Sequence, residues 1–355
     1  MKKIVLLAVI SLAALASCTK NEPAPSVTDQ QEITFASPVV SLNTKALLEG
    51  TLFPTTQTFN VWAWYSEKEY YDGTDGKKYM TDVKVEYNSK DFNDQETADN
   101  GAWAPTPTYY WPKDGKLTFD AYSPTGLAGV SCDMSKGLTI TDYVVPQDLA
   151  AQVDVLYSTR SHDNTSSSLK YNNTYEGVDL VFNHALSAIE FTVQQSANYP
   201  AGTIKVKSIT VVDAFSKGTF NQNVKYSPTK EETPEWDPVS EPKEFVILGQ
   251  ADYDTSIQPA NAPGSIGSTC IVLPQEFNDD VKIIVKYYIK NNNEEPLEQT
   301  AEFKLKEIDH QADGVNQWEM GKKYTYNLNI GLQDIFFAPS IMGWDGVTVN
   351  LPEIK

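Results

Sequence analysis

The sequence contains too little cysteine for a fold that is stabilised mainly by disulfide bonds. Cysteine occurs only 3 times in 355 residues, whereas secreted folds that depend on disulfides carry many more. Beyond Cys18 only Cys132 and Cys270 remain, and we expect both to be buried thiols rather than a disulfide. The hydrophobic core must therefore be large enough to hold the fold without cross-links.

Residues that carry out chemistry are also scarce. The three histidines are far apart and none has a second metal-type residue at ligand spacing: His162, His184 and His310. We expect His184 to be a structural residue at a strand end. There is no glycine-rich phosphate loop and no Gly-x-Ser-x-Gly elbow, and the acid pairs 231–232 and 279–280 are expected to be solvated loop charges. The sequence predicts no catalytic residue, no metal site and no cofactor, and we expect a protein that is not an enzyme.

Positive charge is in deficit. There are 47 acidic side chains against 28 lysines and arginines, a formal net charge of −19. Such a surface repels phosphate backbones, so nucleic acid is excluded as a partner. The charge suits a soluble protein at a cell surface.

One long apolar run is present, at residues 4–15, after two lysines. It is too short to cross a bilayer as a helix, which needs roughly 20 residues, and it is typical of a secretory signal. Leu15-Ala16-Ser17-Cys18 closes the run and matches a bacterial lipobox. We therefore predict a signal peptide over residues 1–17, cleavage before Cys18, fatty acid (palmitate) on that cysteine, and a lipidated tether over residues 18–31.

Strand patterns dominate the remainder of the chain. Residues 32–36, 59–65 and 116–122 alternate between apolar and polar side chains, which predicts strands with one face in a core and the other in solvent. No segment has a convincing helical period. The chain is predicted to be all-β, with two tandem β-sandwich domains.

A polar stretch over residues 158–177 marks the predicted boundary. We place an N-terminal β-sandwich at 32–177 and a C-terminal β-sandwich at 178–355. Residues 225–243 contain four prolines and are expected to form a long surface loop. The chain ends in another alternating run, and a terminal strand is either the edge of its own sheet or a donor to the sheet of another molecule.

Several short motifs occur together in a characteristic order and spacing. After the lipobox, the tether and an early Ile-Thr-Phe strand come the segments 43–46, 59–63, 110–112, 117–124, 154–157 and 182–187. With these motifs the sequence resembles the fimbrillin family, the subunits of type V pili.

The resemblance implies two transthyretin-like sandwiches and lipidated precursors that assemble at the outer membrane of a Gram-negative bacterium. It also implies that a trypsin-like protease cuts after a basic residue beyond the first strand. That strand then leaves, and the groove takes the C-terminal strand of a neighbouring subunit.

Carried onto this sequence, the resemblance assigns three sets of residues. The displaced strand would contain Ile33 and Phe35, the processing site would be Lys45-Ala46, and the donor strand would contain Val347, Val349 and Leu351, with Ile354 continuing it. Shaft subunits tend to have arginine at the cut, but the only arginine here is Arg160, in the predicted mid-chain loop. Either a lysine-accepting protease acts, or the strand stays and the subunit is an anchor or terminal component.

We therefore expect a structural subunit of a type V pilus, located in the fimbrium at the cell surface and outer membrane. Its expected partners are other pilus subunits, the outer membrane through the lipid, and a host or bacterial surface ligand. Two alternatives stay open. A surface glycan-binding lipoprotein would use exposed aromatic residues such as Trp62, Trp64 and residues 109–112. An exported hydrolase would need a cleft with two close carboxylates.

Overall fold

In the computed structural model of the protein, the described residues are 31–41, 51–67, 76–88, 102–171, 174–195, 204–224, 231–260, 262–290, 294–308, 316–330 and 335–343. They contain strands, turns and two single turns of 3-10 helix, Leu149–Ala151 and Leu305–Glu307, and no α-helix. Over these ranges no helix is long and apolar enough to cross a membrane. The all-β prediction is confirmed, while the tandem transthyretin-like arrangement stays a prediction.

Nine of the described strands form one sheet, the N-terminal sheet. In spatial order its members are β2 (Thr51–Leu52), β1 (Val39–Val40), β13 (Val181–His184), β9 (Leu156–Ser158), β6 (Lys116–Ser123), β3 (Thr58–Ser66), β4 (Lys77–Asn88) and β5 (Ala102–Thr106), and β10 (Ser161–Asn164) also pairs with β6. Neighbours are antiparallel except β1 and β13, which run parallel.

Two further sheets, one of six strands and one of four, pack face to face. The six-stranded sheet has the order β20 (Leu297–Lys304), β19 (Lys282–Ile289), β15 (Ile204–Asn221), β8 (Gly137–Val144) and β7 (Val130–Asp133), with β16 (Glu235–Leu248) on β15. The four-stranded sheet has the order β17 (Gly264–Val272), β14 (Ser187–Gln195), β22 (Lys322–Ile330) and β23 (Ile335–Gly343). Two short ribbons pair β11 (Lys170–Tyr171) with β12 (Thr174–Tyr175) and β18 (Gln275–Glu276) with β21 (Gln317–Trp318).

Two hydrophobic cores result, and β3 separates them. Its residues Phe59, Val61 and Ala63 belong to the first core, inside the N-terminal sheet. Its residues Trp62 and Trp64 belong to the second core, which fills the space between the other two sheets. The expectation that this strand has one solvated face is wrong, because the face with Trp62 and Trp64 is covered by the second core.

Hydrogen bonding crosses the predicted boundary at residue 178 in both directions. β13, after the boundary, pairs with β9 in the N-terminal sheet. β7 and β8, before it, belong to the six-stranded sheet, where β8 pairs with β15. The division at 177/178 stays a prediction for domains, but the sheets themselves do not divide there.

The surface loop predicted over residues 225–243 is wrong for its second half. β16 begins at Glu235 and pairs with β15 along its length. Pro238 and Pro242 lie within this strand and are opposite Gly218 and Phe215. Among the described strands β16 pairs with β15 alone, so a missing N–H on its other side breaks no second ladder and proline is tolerated there.

Candidate functional site

The candidate site is the N-terminal segment, defined as residues 31–41, together with the strands that hold it. Along one side it runs antiparallel to β5 and the residues that follow. The backbone N–H of Ile33 donates to the carbonyl of Tyr109 at 2.8 Å, and that of Phe35 donates to the carbonyl of Trp103 at 2.8 Å. This side of the segment is therefore bonded as a strand of the sheet.

The opposite side of the N-terminal segment runs parallel to Val178 and β13. The Ala36 N–H donates to the Val178 carbonyl at 3.0 Å, and the Val178 N–H donates to the Thr34 carbonyl at 2.8 Å. Farther along, the Val39 N–H donates to the Leu180 carbonyl at 3.1 Å. The segment thus has hydrogen bonds on both edges, as an interior strand does, and it joins β5 to the region of β13.

Two side chains of the segment enter the first core. Ile33 is 0% exposed and Phe35 is 1% exposed. The Phe35 ring meets Phe59 edge-on at a centroid distance of 5.6 Å and Phe119 at 5.7 Å. Burial of each such side chain contributes roughly 1.5–3 kcal/mol. Ile33 and Phe35 are the residues expected in a displaced strand, and their displacement stays a prediction.

Gly177 lies directly against the N-terminal segment. Its φ of +91° is in the left-handed region that favours glycine. A Cβ at this position would lie 2.6 Å from the Ala36 backbone nitrogen and 2.7 Å from the Phe35 carbonyl carbon. Because real Cβ atoms do not approach backbone so closely, any side chain here would push the segment out of position.

The chain leaves the segment through a connection between two paired strands. Val40 in β1 is opposite Thr51 in β2, and β2 forms the edge of the sheet, with Leu52 69% exposed. The predicted processing residues Lys45 and Ala46 belong to this connection and lie outside the described residues. A cut there would separate the N-terminal segment from the rest of the chain.

Other predicted features also lie outside the described residues. They are the signal peptide 1–17, the lipidated Cys18, the tether up to residue 30, and the donor residues Val347, Val349 and Leu351. The last described strand, β23, pairs antiparallel with β22 and forms one edge of the four-stranded sheet.

Arg160 lies in the interior, which its polar surroundings in the sequence did not indicate. It is 3% exposed and lies between β9 and β10. Its Nε donates to Asp120 Oδ1 and its Nη2 donates to Asp120 Oδ2, both at 2.7 Å, and Nη1 donates to the Met134 carbonyl at 2.6 Å. Burial lowers the pKa of the guanidinium, but the Asp120 carboxylate raises it, and the net pKa lies above its ordinary value. The only arginine of the chain is therefore inaccessible to a protease.

The same polar cluster joins strands of different sheets. Trp64 Nε1 and Cys132 Sγ both donate to Asp120 Oδ2, at 3.1 Å and 3.4 Å. Glu232 accepts a hydrogen bond from the Arg160 backbone N–H at 2.8 Å, and burial raises its pKa. The expectation that the 231–232 pair is solvated is therefore wrong for Glu232, since it packs against the Arg160 backbone.

The two thiols agree with expectation in being free. Cys270 is buried, and burial raises its pKa to about 12. Cys132 is partly covered, and burial and the nearby Asp120 raise its pKa well above the ordinary value. Neither thiol is in a state suited to nucleophilic chemistry, which requires the thiolate.

Three of the aromatic residues considered for sugar stacking are buried in the cores. Trp62 and Trp64 are each 4% exposed and Trp111 is 5% exposed. Tyr109 packs against the first core, and Tyr79 donates from its hydroxyl to the Tyr110 carbonyl at 2.5 Å. Trp62, Trp64 and Trp111 are therefore too buried to present a ring face to a glycan.

In the part of the chain that the structure describes, no group of three or more histidine, cysteine, aspartate or glutamate side chains could hold a metal ion. His184 ends β13, as expected of a structural residue, and its Nδ1 lies 2.7 Å from Asp154 Oδ2. Asp279 accepts a hydrogen bond from Lys306 at 2.8 Å at the surface.

Comparisons with known proteins agree with this architecture. The chain is similar to a fimbrial protein from Bacteroides vulgatus, with 17% identity and a TM-score of 0.59 over 88% of this chain and 100% of that one. It is also similar to a protein described as a putative cell adhesion protein from Bacteroides uniformis, with 15% identity and a TM-score of 0.51 over 90% and 100%. At these identities the likeness concerns the fold. A search of curated proteins finds no match.

The chain is thus an all-β protein whose N-terminal segment completes a sheet. A family model described as fimbrillin-like matches residues 44–344. The protein belongs to the fimbrillin-like family.

Proposed function

We propose that the protein is a structural subunit of a type V pilus on the outer surface of a Gram-negative bacterium. In this proposal it is exported as a lipoprotein, assembles by β-strand exchange and supports adhesion. The observation that carries the proposal is the N-terminal segment, which is hydrogen-bonded on both edges yet continues into a connection between β1 and the edge strand β2.

The energetics of the segment support exchange rather than simple loss. Its departure would leave the carbonyls of Trp103, Tyr109 and Val178 without their partners. Each buried backbone group left unsatisfied is costly. The pockets of Ile33 and Phe35 would also open to water. A trimmed subunit would therefore bind a replacement strand strongly, whereas the intact precursor has no vacant position.

The processing residue in this proposal is Lys45, followed by Ala46. A protease that requires arginine finds no accessible target in Arg160, which is buried. A lysine-accepting protease would produce a shaft subunit. Where the connection stays uncut, the N-terminal segment remains in the sheet and the subunit serves as an anchor or tip.

The lipid belongs to the same proposal. Acyl chains on Cys18 would hold the precursor in the outer membrane, and the partners there are other pilus subunits. A host or bacterial surface ligand is proposed for the assembled pilus.

The test is limited proteolysis of the purified precursor followed by size measurement. We expect the uncut chain to be monomeric, and a lysine-specific protease that cuts at Lys45 to convert it into polymers. Lys45→Gln is the matched control and should stay monomeric under the same treatment. Efficient polymerisation of the uncut chain, or a cut chain that never joins a neighbour, would contradict the proposal.

A further inference from the structure

The two ends of the chain have the same residue pattern. Residues 33–40 read Ile-Thr-Phe-Ala-Ser-Pro-Val-Val, and residues 347–354 read Val-Thr-Val-Asn-Leu-Pro-Glu-Ile. Aligned without a gap, the threonines coincide at the second position and the prolines at the sixth. Both segments lie outside residues 44–344, which match the family model, so this correspondence is a property of the chain's own sequence.

The burial pattern of the N-terminal segment explains which positions matter. Ile33, Thr34 and Phe35 are buried, Ser37 is exposed, and Pro38 and Val40 are buried. The buried positions are therefore one, two, three, six and eight, and position two is a threonine in both segments. The other four buried positions are apolar in the N-terminal segment, and a replacement strand needs apolar residues at those positions.

The C-terminal segment has apolar residues at those four positions. They are Val347, Val349, Pro352 and Ile354. Leu351 falls at position five, which corresponds to the exposed Ser37.

We propose that the C-terminal segment of a second copy replaces the N-terminal segment in one register, in which residue n of the N-terminal segment is replaced by residue n + 314. The donor runs in the same direction as the segment that it replaces. Val349 takes the place of Phe35, and Leu351 occupies no pocket. This inference rests on the proposed function, and it changes the expected donor set from Val347, Val349 and Leu351 to Val347, Val349, Pro352 and Ile354.

The proline determines the register because it has no backbone N–H. In the N-terminal segment, Phe35, Ala36 and Val39 each donate a backbone hydrogen bond to the sheet. The proposed register places Pro352 at Pro38, where no donor exists. In a register shifted by two residues, in which residue n is replaced by residue n + 316, Pro352 would lie at the position of Ala36. The hydrogen bond that Ala36 donates to the Val178 carbonyl would then be lost.

The remaining shifts are also unfavourable. The opposite shift, in which residue n is replaced by residue n + 312, places Asn350 at the buried position of Pro38. This register buries a polar amide in place of the proline ring. Shifts of one residue turn the apolar side chains to the opposite face of the strand. The proposed register alone keeps the backbone donors and the apolar positions together.

The pocket of Phe35 allows a test in which a substitution in the donor strand should increase its affinity for the groove. This pocket is lined by Phe59 and Phe119 at ring-centroid distances of 5.6 and 5.7 Å. Valine at this position fills less of the pocket than phenylalanine does. Val349→Phe should therefore strengthen binding, whereas Val347→Phe and Leu351→Phe should not.

The experiment uses the full-length chain after cleavage in the 42–50 connection and fluorescent peptides that correspond to residues 346–355. Binding is measured by fluorescence anisotropy for the natural peptide and for each single phenylalanine variant. We expect Val349→Phe to bind about fivefold to tenfold more tightly, from the additional apolar area that it buries. Leu351→Ser should change the affinity by less than about twofold, because an exposed side chain buries little area.

Each other outcome overturns part of the argument in a recognisable way. If Leu351→Phe gains affinity or Leu351→Ser loses tenfold or more, the donor lies two residues away and the register is wrong, while strand exchange stands. If Val347→Phe is the variant that binds more tightly, Val347 occupies the Phe35 pocket and the true register differs from the proposed one by two residues in the opposite direction. If the natural peptide does not bind at all, strand exchange fails together with the register. A scrambled peptide is the control for nonspecific binding.

Discussion

Phe35→Ala tests whether the N-terminal segment is held by its core contacts. The ring is 1% exposed and packs against Phe59 and Phe119. Truncation of a buried phenylalanine to alanine costs about 3–5 kcal/mol, through lost transfer energy and the cavity left behind. This is a large fraction of a typical domain's stability of about 5–15 kcal/mol. In the uncut precursor we therefore expect the free energy of unfolding to fall by about that amount.

The same substitution should have a second effect after the 42–50 connection is cut. The segment is then held only by non-covalent contacts, so the loss of the ring should shift its dissociation equilibrium by about two to four orders of magnitude. Denaturant titration measures the first effect, and size separation of the cut protein with mass spectrometry measures the second. The matched control is Leu52→Ala, on the other side of the connection, because Leu52 is 69% exposed and should change stability by less than about 0.5 kcal/mol.

One result would refute the reasoning. If Phe35→Ala and Leu52→Ala had equal effects on unfolding and on release of the cut segment, the contacts of Phe35 would not hold the segment. The acceptor groove would then need another explanation.

Three further predictions follow from the structure and the sequence. Gly177→Ala should lower the thermal unfolding temperature, because an added Cβ would lie 2.6 Å from the backbone of the N-terminal segment. Gly249→Ala should leave it unchanged, because an added Cβ there meets nothing within 4 Å. Equal unfolding temperatures for the two variants would argue against the close approach at Gly177. Arg160→Met should destabilise the protein by about 3–5 kcal/mol in denaturant titrations, since Asp120 is left as a buried unpaired charge, and adding Asp120→Leu should restore part of the loss; no recovery in the double variant would count against this explanation. Cys18→Ala should abolish metabolic fatty-acid labelling and release the protein from the membrane fraction, and unchanged labelling would contradict lipidation at Cys18.

The class of the fold and several of its strands could be predicted from the sequence because their signals are local. The alternation in residues 59–65 and 116–122 predicted strands that the structure places in β3 and β6. Period-two patterning depends only on neighbouring residues, so it can be read without knowing the partners. The buried residues Ile33 and Phe35 were also identified in this way, within a short alternating run.

The rest was decided by contacts between distant parts of the chain. Whether the second face of β3 meets water depends on residues more than a hundred positions away, such as Phe220 and Trp236, which share the second core with Trp62. No local pattern carries that information. Likewise, the proline-containing strand β16 exists because β15 offers it a free edge.

Arg160 shows the same limit most clearly. Its neighbours in the sequence are polar, and local reasoning placed it in a loop. In the fold, Asp120 approaches it from 40 residues earlier and Glu232 from 72 residues later. The sequence alone determined where several strands form, such as β3 and β6, and which side chains are apolar, because those properties are local. Only the tertiary structure decided which faces are covered and which charges are paired, because burial and ion pairing depend on residues that folding brings together.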